Sequence, residues 1–150
     1  MNGSYLPAGL PAPVPAAGDL DAEHWAAAAR HELAVQRCNG CGRHQWGPEW
    51  VCHRCRSFDL GWAVVAPGGT IYSWERVWHP VHPALAEACP YVVVLVELPQ
   101  AESIRMVGNL LGDPTAPVAI GAEVDAVFED HPDGEPAYTL VQWRLRSAGA

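Results

Sequence analysis

From Gly69 to Trp78 the chain alternates, with Tyr72, Trp74, Arg76 and Trp78 on one side and Ile71, Ser73, Glu75 and Val77 on the other. That period of two predicts a strand with unlike faces. Tyr91 to Leu98 is almost continuously apolar, the pattern of a strand buried on both faces. Ser103–Leu111 and Glu123–Glu129 are two further strands; in the second, Val124, Ala126 and Phe128 alternate with Glu123, Asp125 and Glu129. Thr139–Arg146 sets Val141, Trp143 and Leu145 against Gln142, Arg144 and Arg146. Turn signals separate the runs at Pro67-Gly68-Gly69, Gly112-Asp113-Pro114 and His131-Pro132-Asp133-Gly134. Five strands over residues 67–146 predict a small antiparallel barrel of the OB type.

Upstream the pattern changes. Leu20, Trp25, Ala29, Leu33 and Gln36 approximate one helical face. Asp19 or Asp21 suits the cap, and the run Ala26 to Ala29 favours helix. A helix is therefore expected over residues 19–36, marginal alone and in need of something to pack on. Residues 1–18 form a Pro/Ala/Gly arm with Pro7, Pro11, Pro13 and Pro15 in alternation. Such a stretch favours extended, polyproline-like chain, either as a free tail or laid along a partner.

Between helix and barrel, residues 37–66 carry Cys38-x-x-Cys41 and Cys52-x-x-Cys55. Two Cys-x-x-Cys pairs at this spacing close a tetrahedral thiolate site for zinc, and iron fits the same four-sulfur geometry. Gly40 and Gly42 give the first knuckle its backbone freedom. Four protein thiolates leave no open coordination position, so the metal is expected to be structural. It contributes on the order of 10 kcal/mol to a segment too small for its own core. His44 and His53 stand beside the ligands but are not needed by a complete set. Cys89, before Pro90, reads as a buried, inert thiol.

Composition narrows the function. The 150 residues are 49% apolar, enough for one core, and carry 17 acids against 9 bases for a net charge of −8. All nine bases are arginine. The chain therefore has no lysine for a Schiff base or a pyridoxal site. The acidic balance disfavours strong nucleic-acid binding. No apolar run reaches membrane-spanning length, and no secretion signal is recognisable, so the cytoplasm is the expected compartment.

The succession of helix, four-Cys ribbon and OB barrel resembles the DUF35 family, OB-fold proteins with a rubredoxin-like zinc ribbon. The resemblance is carried by Glu32 to Gly42 at the ribbon junction, Trp46-Gly47-Pro48, Gly69 to Trp74, Pro90 to Leu98, Gly108-Asn109-Leu110 and Ile120 to Val124. It covers roughly residues 20–145; Ala122 departs from the larger apolar residue expected there. The family implies a non-catalytic accessory subunit of a thiolase-superfamily enzyme acting on CoA thioesters, such as a retro-aldolase of steroid side-chain degradation, a thiolase or an acyltransferase. Some relatives are joined to hot-dog hydratase domains. The implied cofactor is structural zinc on Cys38, Cys41, Cys52 and Cys55. The implied partner is a thiolase-like chain in a hetero-oligomer, with acyl-CoA at the shared interface.

Two rival readings remain. One is a single-stranded nucleic-acid binder, stacking bases on Tyr72, Trp74 and Trp78. The other is a free-standing enzyme built on His79 and His82, with Glu75 or Glu87 as orienting acid; no nucleophile accompanies these histidines. Under the subunit reading Trp74, Arg76, Trp78, His79 and His82 are expected to face the partner or its acyl-CoA channel. Tryptophan is a preferred interface anchor, and Arg76 or Arg105 would meet the CoA phosphates.

Overall fold

In the computed structural model, residues 5–147 are described. The expected helix is much shorter than residues 19–36. Helix α1 spans Ala22–Ala28, and strand β1 follows at Leu33–Cys38. Asp21 stands at the N-cap, but its carboxylate accepts from the Trp25 indole (2.9 Å) instead of a backbone amide. At the other end His31 adopts a left-handed conformation (φ 58°). The amides of His31 and Glu32 donate to the carbonyls of Ala28 and Ala27. This paired closure is normally completed by glycine. Beyond it, Leu33, Ala34, Val35, Gln36 and Cys38 are all buried, a run that one helical face cannot hide but a central strand can.

Strand β1 lies between β2 (His44–Gln45) and β3 (Leu60–Val65), antiparallel to both. The second sheet has five strands: β4 (Gly68–Val77), β5 (Tyr91–Leu98), β6 (Ile104–Asn109), β7 (Glu123–His131) and β8 (Tyr138–Leu145). Their order is β6-β5-β4-β7-β8. A parallel bridge from Leu110 to Trp143, with the Leu111 amide on the Trp143 carbonyl (2.7 Å), brings the two outer strands together. The sheet is thereby nearly closed into a barrel.

Trp143 is fully buried at this seam. The strand opposite carries Gly108, where an added Cβ would lie 2.7 Å from the indole. Val92, Val94, Val96 and Leu98 fill the barrel from β5. Leu33 and Val35 of β1 join the same cluster, so the ribbon and the barrel share one core. The apolar run of β5 is closed on one face only; Val93, Leu95 and Glu97 on the other are half-buried.

The alternation of β4 is also interrupted. Ile71 pairs with Val96 but Ser73 with Leu95, which makes Tyr72 the extra residue of a β-bulge. Ile71 and Trp74 therefore both pack on the core, while Tyr72 is exposed. The N-terminal arm lies on this chain's own barrel: the Tyr5 amide donates to Glu129 Oε2 (3.1 Å) and its hydroxyl to the Leu110 carbonyl (3.3 Å). Among the described residues no helix is long and apolar enough to cross a membrane.

Candidate metal centre and partner surface

The two cysteine knuckles repeat one backbone pattern. Cys38 donates its amide to the Arg43 carbonyl and accepts at its own carbonyl from Gly42; Cys52 does the same with Ser57 and Arg56. The residue after each second cysteine is left-handed, Gly42 at φ 76° and Arg56 at φ 65°. The first knuckle thus uses glycine where the turn demands it, and the second holds an arginine in a conformation L-residues disfavour.

These turns bring the sulfurs of Cys38, Cys41, Cys52 and Cys55 within 4.8 Å of one another. Cys38 Sγ lies 3.6 Å from Cys55 Sγ, and Cys41 Sγ 3.7 Å from Cys52 Sγ. Those separations are far beyond a disulfide bond of about 2.05 Å. They match the edge of about 3.8 Å expected for a tetrahedron with zinc–sulfur bonds of about 2.3 Å.

Protonation points the same way. Backbone amides of Cys55 and Arg54, with the Cys41 and Cys55 thiols, draw the Cys52 thiol down to about 6. The Ser57 amide lowers Cys55, but the Cys38 sulfur, burial and the other two thiols outweigh it and push Cys55 up to about 12. Four thiolates cannot share this space without a cation. A divalent, thiophilic ion resolves that conflict, and zinc fits the donor set.

A buried pair of amides holds the second knuckle against the sheet. Gln36 and Gln45 are 2% and 3% exposed. Gln45 Nε2 donates to Gln36 Oε1 (2.6 Å), which also accepts from the Glu49 amide (3.0 Å), and Gln36 Nε2 donates to the Glu49 carbonyl (2.9 Å). Gln45 Oε1 accepts the amide of His53, next to Cys52 (3.0 Å). Sequence reasoning put Gln36 on a helical face and missed this network. The one available signal was a Gln in each segment flanking the first Cys pair. His44, mostly buried, donates its amide to Glu102 Oε2 (2.8 Å), and its ring meets the same oxygen. It ties the ribbon to the barrel and is not a ligand.

The aromatic and histidine residues expected at a partner surface divide into two groups. Trp74 packs against the core, and the Arg76 guanidinium sits 5.3 Å above its ring. Arg76 donates to the Pro114 carbonyl (2.7 Å) and the Ala116 carbonyl (2.6 Å), so much of its donor capacity holds the loop after β6. Tyr72 lies beneath Arg105, whose guanidinium is 3.5 Å from the ring centre and also pairs with Glu97. Tyr72, Trp74 and Trp78 therefore do not form one open platform.

Beyond β4 the chain leaves the barrel: Trp78 is 60% and Val81 81% exposed, and His79 is exposed beside them. His82 is half-buried and accepts the Ala84 amide at Nδ1 (3.2 Å), capping a short 3-10 turn. The ribbon tip exposes two more large rings, Trp50 at 69% and Phe58 at 82%, which the sequence reading did not single out. Cys89 is half-buried at the start of β5, away from the sulfur cluster.

Comparison with known proteins agrees with this architecture. Residues 25–61 match the family model described as the rubredoxin-like zinc ribbon domain of ChsH2, and residues 62–129 the C-terminal OB-fold domain of ChsH2. A probable enoyl-CoA hydratase alpha subunit of Thermomonospora curvata is 38% identical over 134 residues, 88% of this chain and 39% of that protein. The 3-oxo-4,17-pregnadiene-20-carboxyl-CoA hydratase alpha subunit of Mycobacterium tuberculosis is 33% identical over 93% of this chain and 45% of its own length. The chain thus spans less than half of these two curated relatives.

A DUF35 domain-containing scaffold protein of Methanocaldococcus jannaschii is 30% identical and matched over 79% of its length. Among solved structures, a chain of the Ltp2-ChsH2(DUF35) aldolase superposes with a TM-score of 0.73 at 35% identity, covering 88% of this chain and 98% of that one. Two cysteine knuckles on a three-stranded ribbon, continuous with a five-stranded barrel and matched this fully by such relatives, place the chain in the DUF35 family.

Proposed function

We propose that this chain is the non-catalytic accessory subunit of a thiolase-superfamily enzyme that makes or breaks a carbon–carbon bond in a CoA thioester. A retro-aldolase of steroid side-chain degradation is the favoured member of that class. The observation that carries the reading is the 35% identity, over almost the whole of the matched chain, to a component of the Ltp2-ChsH2(DUF35) aldolase. The names of the two hydratase alpha subunits support it from the side of acyl-CoA chemistry.

The chain's own residues fit a supporting role. Cys38, Cys41, Cys52 and Cys55 would hold zinc with no position left for water or substrate, so the ion stabilises the ribbon and activates nothing. The catalytic base and nucleophile then belong to the partner. In this reading Trp78 and His79 on the loop after β4 meet the partner surface beside its acyl-CoA channel, and their exposure supports it. Trp74 and Arg76 brace that strand from below, and His82 fixes the end of the loop. Trp78 combines a large area with few rotatable bonds, the property of an interface anchor.

The test is co-expression with a thiolase-superfamily subunit. A Trp78→Ala, His82→Ala double variant is expected to fold with its zinc and to lose about 2 kcal/mol or more of association. Unchanged assembly and unchanged complex activity would remove this loop from the interface.

A further inference from the structure

Between the N-terminal arm and the outer strands of the barrel lies a cavity of about 730 Å³. Its roof is apolar arm, including Leu10 and Pro11, and Trp25 and Leu140 line its sides. This volume and lining are those of a small-molecule site, not of a flat docking face. The barrel strands contribute four polar residues to the lining, Glu129, His131, Tyr138 and Gln142. Glu129 is only 9% exposed, but both its oxygens are engaged, Oε2 by the Tyr5 amide (3.1 Å) and Oε1 by His131 Nε2 (2.8 Å). Its charge is already met inside the chain, so the cavity does not demand a cation.

Three groups are left unspent, one of them the Tyr138 hydroxyl, which has no hydrogen-bond partner among the described residues. His131 stacks on Tyr138 (4.4 Å between centroids, 14° between planes), and its Nδ1 has no hydrogen-bond partner among the described residues. Gln142, 3% exposed, gives its Oε1 to both donors of Asn109. Its Nε2 likewise has no partner among the described residues, although the residue lines the cavity. Among the described residues the only fully buried side-chain donor without a partner is Trp143 Nε1, so Gln142 Nε2 keeps contact with solvent at the cavity wall, and a ligand oxygen there would replace water on it.

We infer that this cavity binds an uncharged, largely apolar small molecule through a single keto or hydroxyl oxygen, which accepts from Gln142 Nε2. The apolar remainder of the ligand lies under the arm against Trp25 and Leu140. The choice of a polycyclic ketone as probe rests on the acyl-CoA reading above; the cavity does not.

The experiment is equilibrium dialysis of the full zinc-loaded chain against progesterone and against its analogue lacking both keto oxygens. Saturable binding of progesterone is expected, with the deoxo analogue about tenfold weaker, the worth of one hydrogen bond. Leu10→Asp places a charge in the apolar roof without touching the barrel core and is expected to weaken binding about tenfold or more. No saturable binding of progesterone, or binding indifferent to both the ketone and Leu10→Asp, would overturn the assignment. Leu10→Asp is expected to assemble with the thiolase-like partner as the parent does. Failure of the parent chain to assemble, with progesterone bound as expected, would refute the subunit reading alone, and assembly without progesterone binding would refute the cavity alone.

Discussion

Replacing Gln36 with leucine tests whether the buried amide pair holds the metal ribbon together. The side chain makes three hydrogen bonds: from Gln45 Nε2, from the Glu49 amide and to the Glu49 carbonyl. Leucine fills a similar volume but meets none of them. Glu49 is itself exposed, so water can reach part of its backbone. Gln45 is 3% exposed, and its Nε2 keeps only a longer contact to the Val51 carbonyl (3.3 Å). Counting one donor left with a single long contact and one pair of groups partly rescued by water gives a loss of about 1–3 kcal/mol.

Because Gln45 Oε1 holds the His53 amide beside Cys52, the damage is expected to reach the metal. Zinc transfer to a chromogenic chelator should therefore quicken, alongside a lowered midpoint in urea. A Gln36→Leu, Gln45→Leu double variant should cost less than the sum of the singles, since neither amide then strands the other. A loss below about 0.5 kcal/mol, the range of an ordinary surface substitution, with zinc release unchanged, would refute the reasoning.

Arg56→Gly relieves a left-handed arginine and is expected to stabilise the zinc-loaded chain by about 0.5–1 kcal/mol; thermal melts beside Gly42→Ala, expected to move the other way, check it. Cys52→Ser leaves three thiolates, and elemental analysis is expected to show zinc falling well below the single equivalent of the parent. Gly108→Ala drives a methyl into the Trp143 indole and is expected to cost about 1–3 kcal/mol, read by urea unfolding. The Glu102 carboxyl is held below its ordinary range, first by the His44 amide and then by the His44 ring and the Arg43 guanidinium. A depressed folded value means its contribution is complete above the unfolded value and fades as pH falls through the lower folded one. NMR titration of Glu102 should show that lowered midpoint, and Glu102→Gln should abolish this part of the acid dependence.

The barrel was legible because its strands alternate against one core: the expected limits of β5 agree with the observed Tyr91–Leu98, and those of the other four fall close. The metal site was legible for a different reason, since ligand spacing in sequence directly constrains sulfur positions in space. What misled was local. Ala26 to Ala29 argued for helix, but the stop signal is His31, a residue rarely read as a helix terminator, and the buried run Leu33–Cys38 belongs to a strand. In β4 a single bulge at Tyr72 turns Trp74 inward, and alternation alone carries no mark of such an insertion. The glutamine network was invisible because amide pairs form across a sheet whose existence had first to be known.

This chain is proposed to support a partner's chemistry on a CoA thioester and to perform none itself. The direct measurement is turnover of a β-hydroxyacyl-CoA with a retro-aldol-cleavable side chain, assayed for this chain alone, for the co-expressed thiolase-superfamily subunit alone, and for the purified complex. A stable complex is expected, with cleavage activity well above that of either component and no turnover by this chain. Turnover by the isolated chain, or failure of the two to associate, would contradict it.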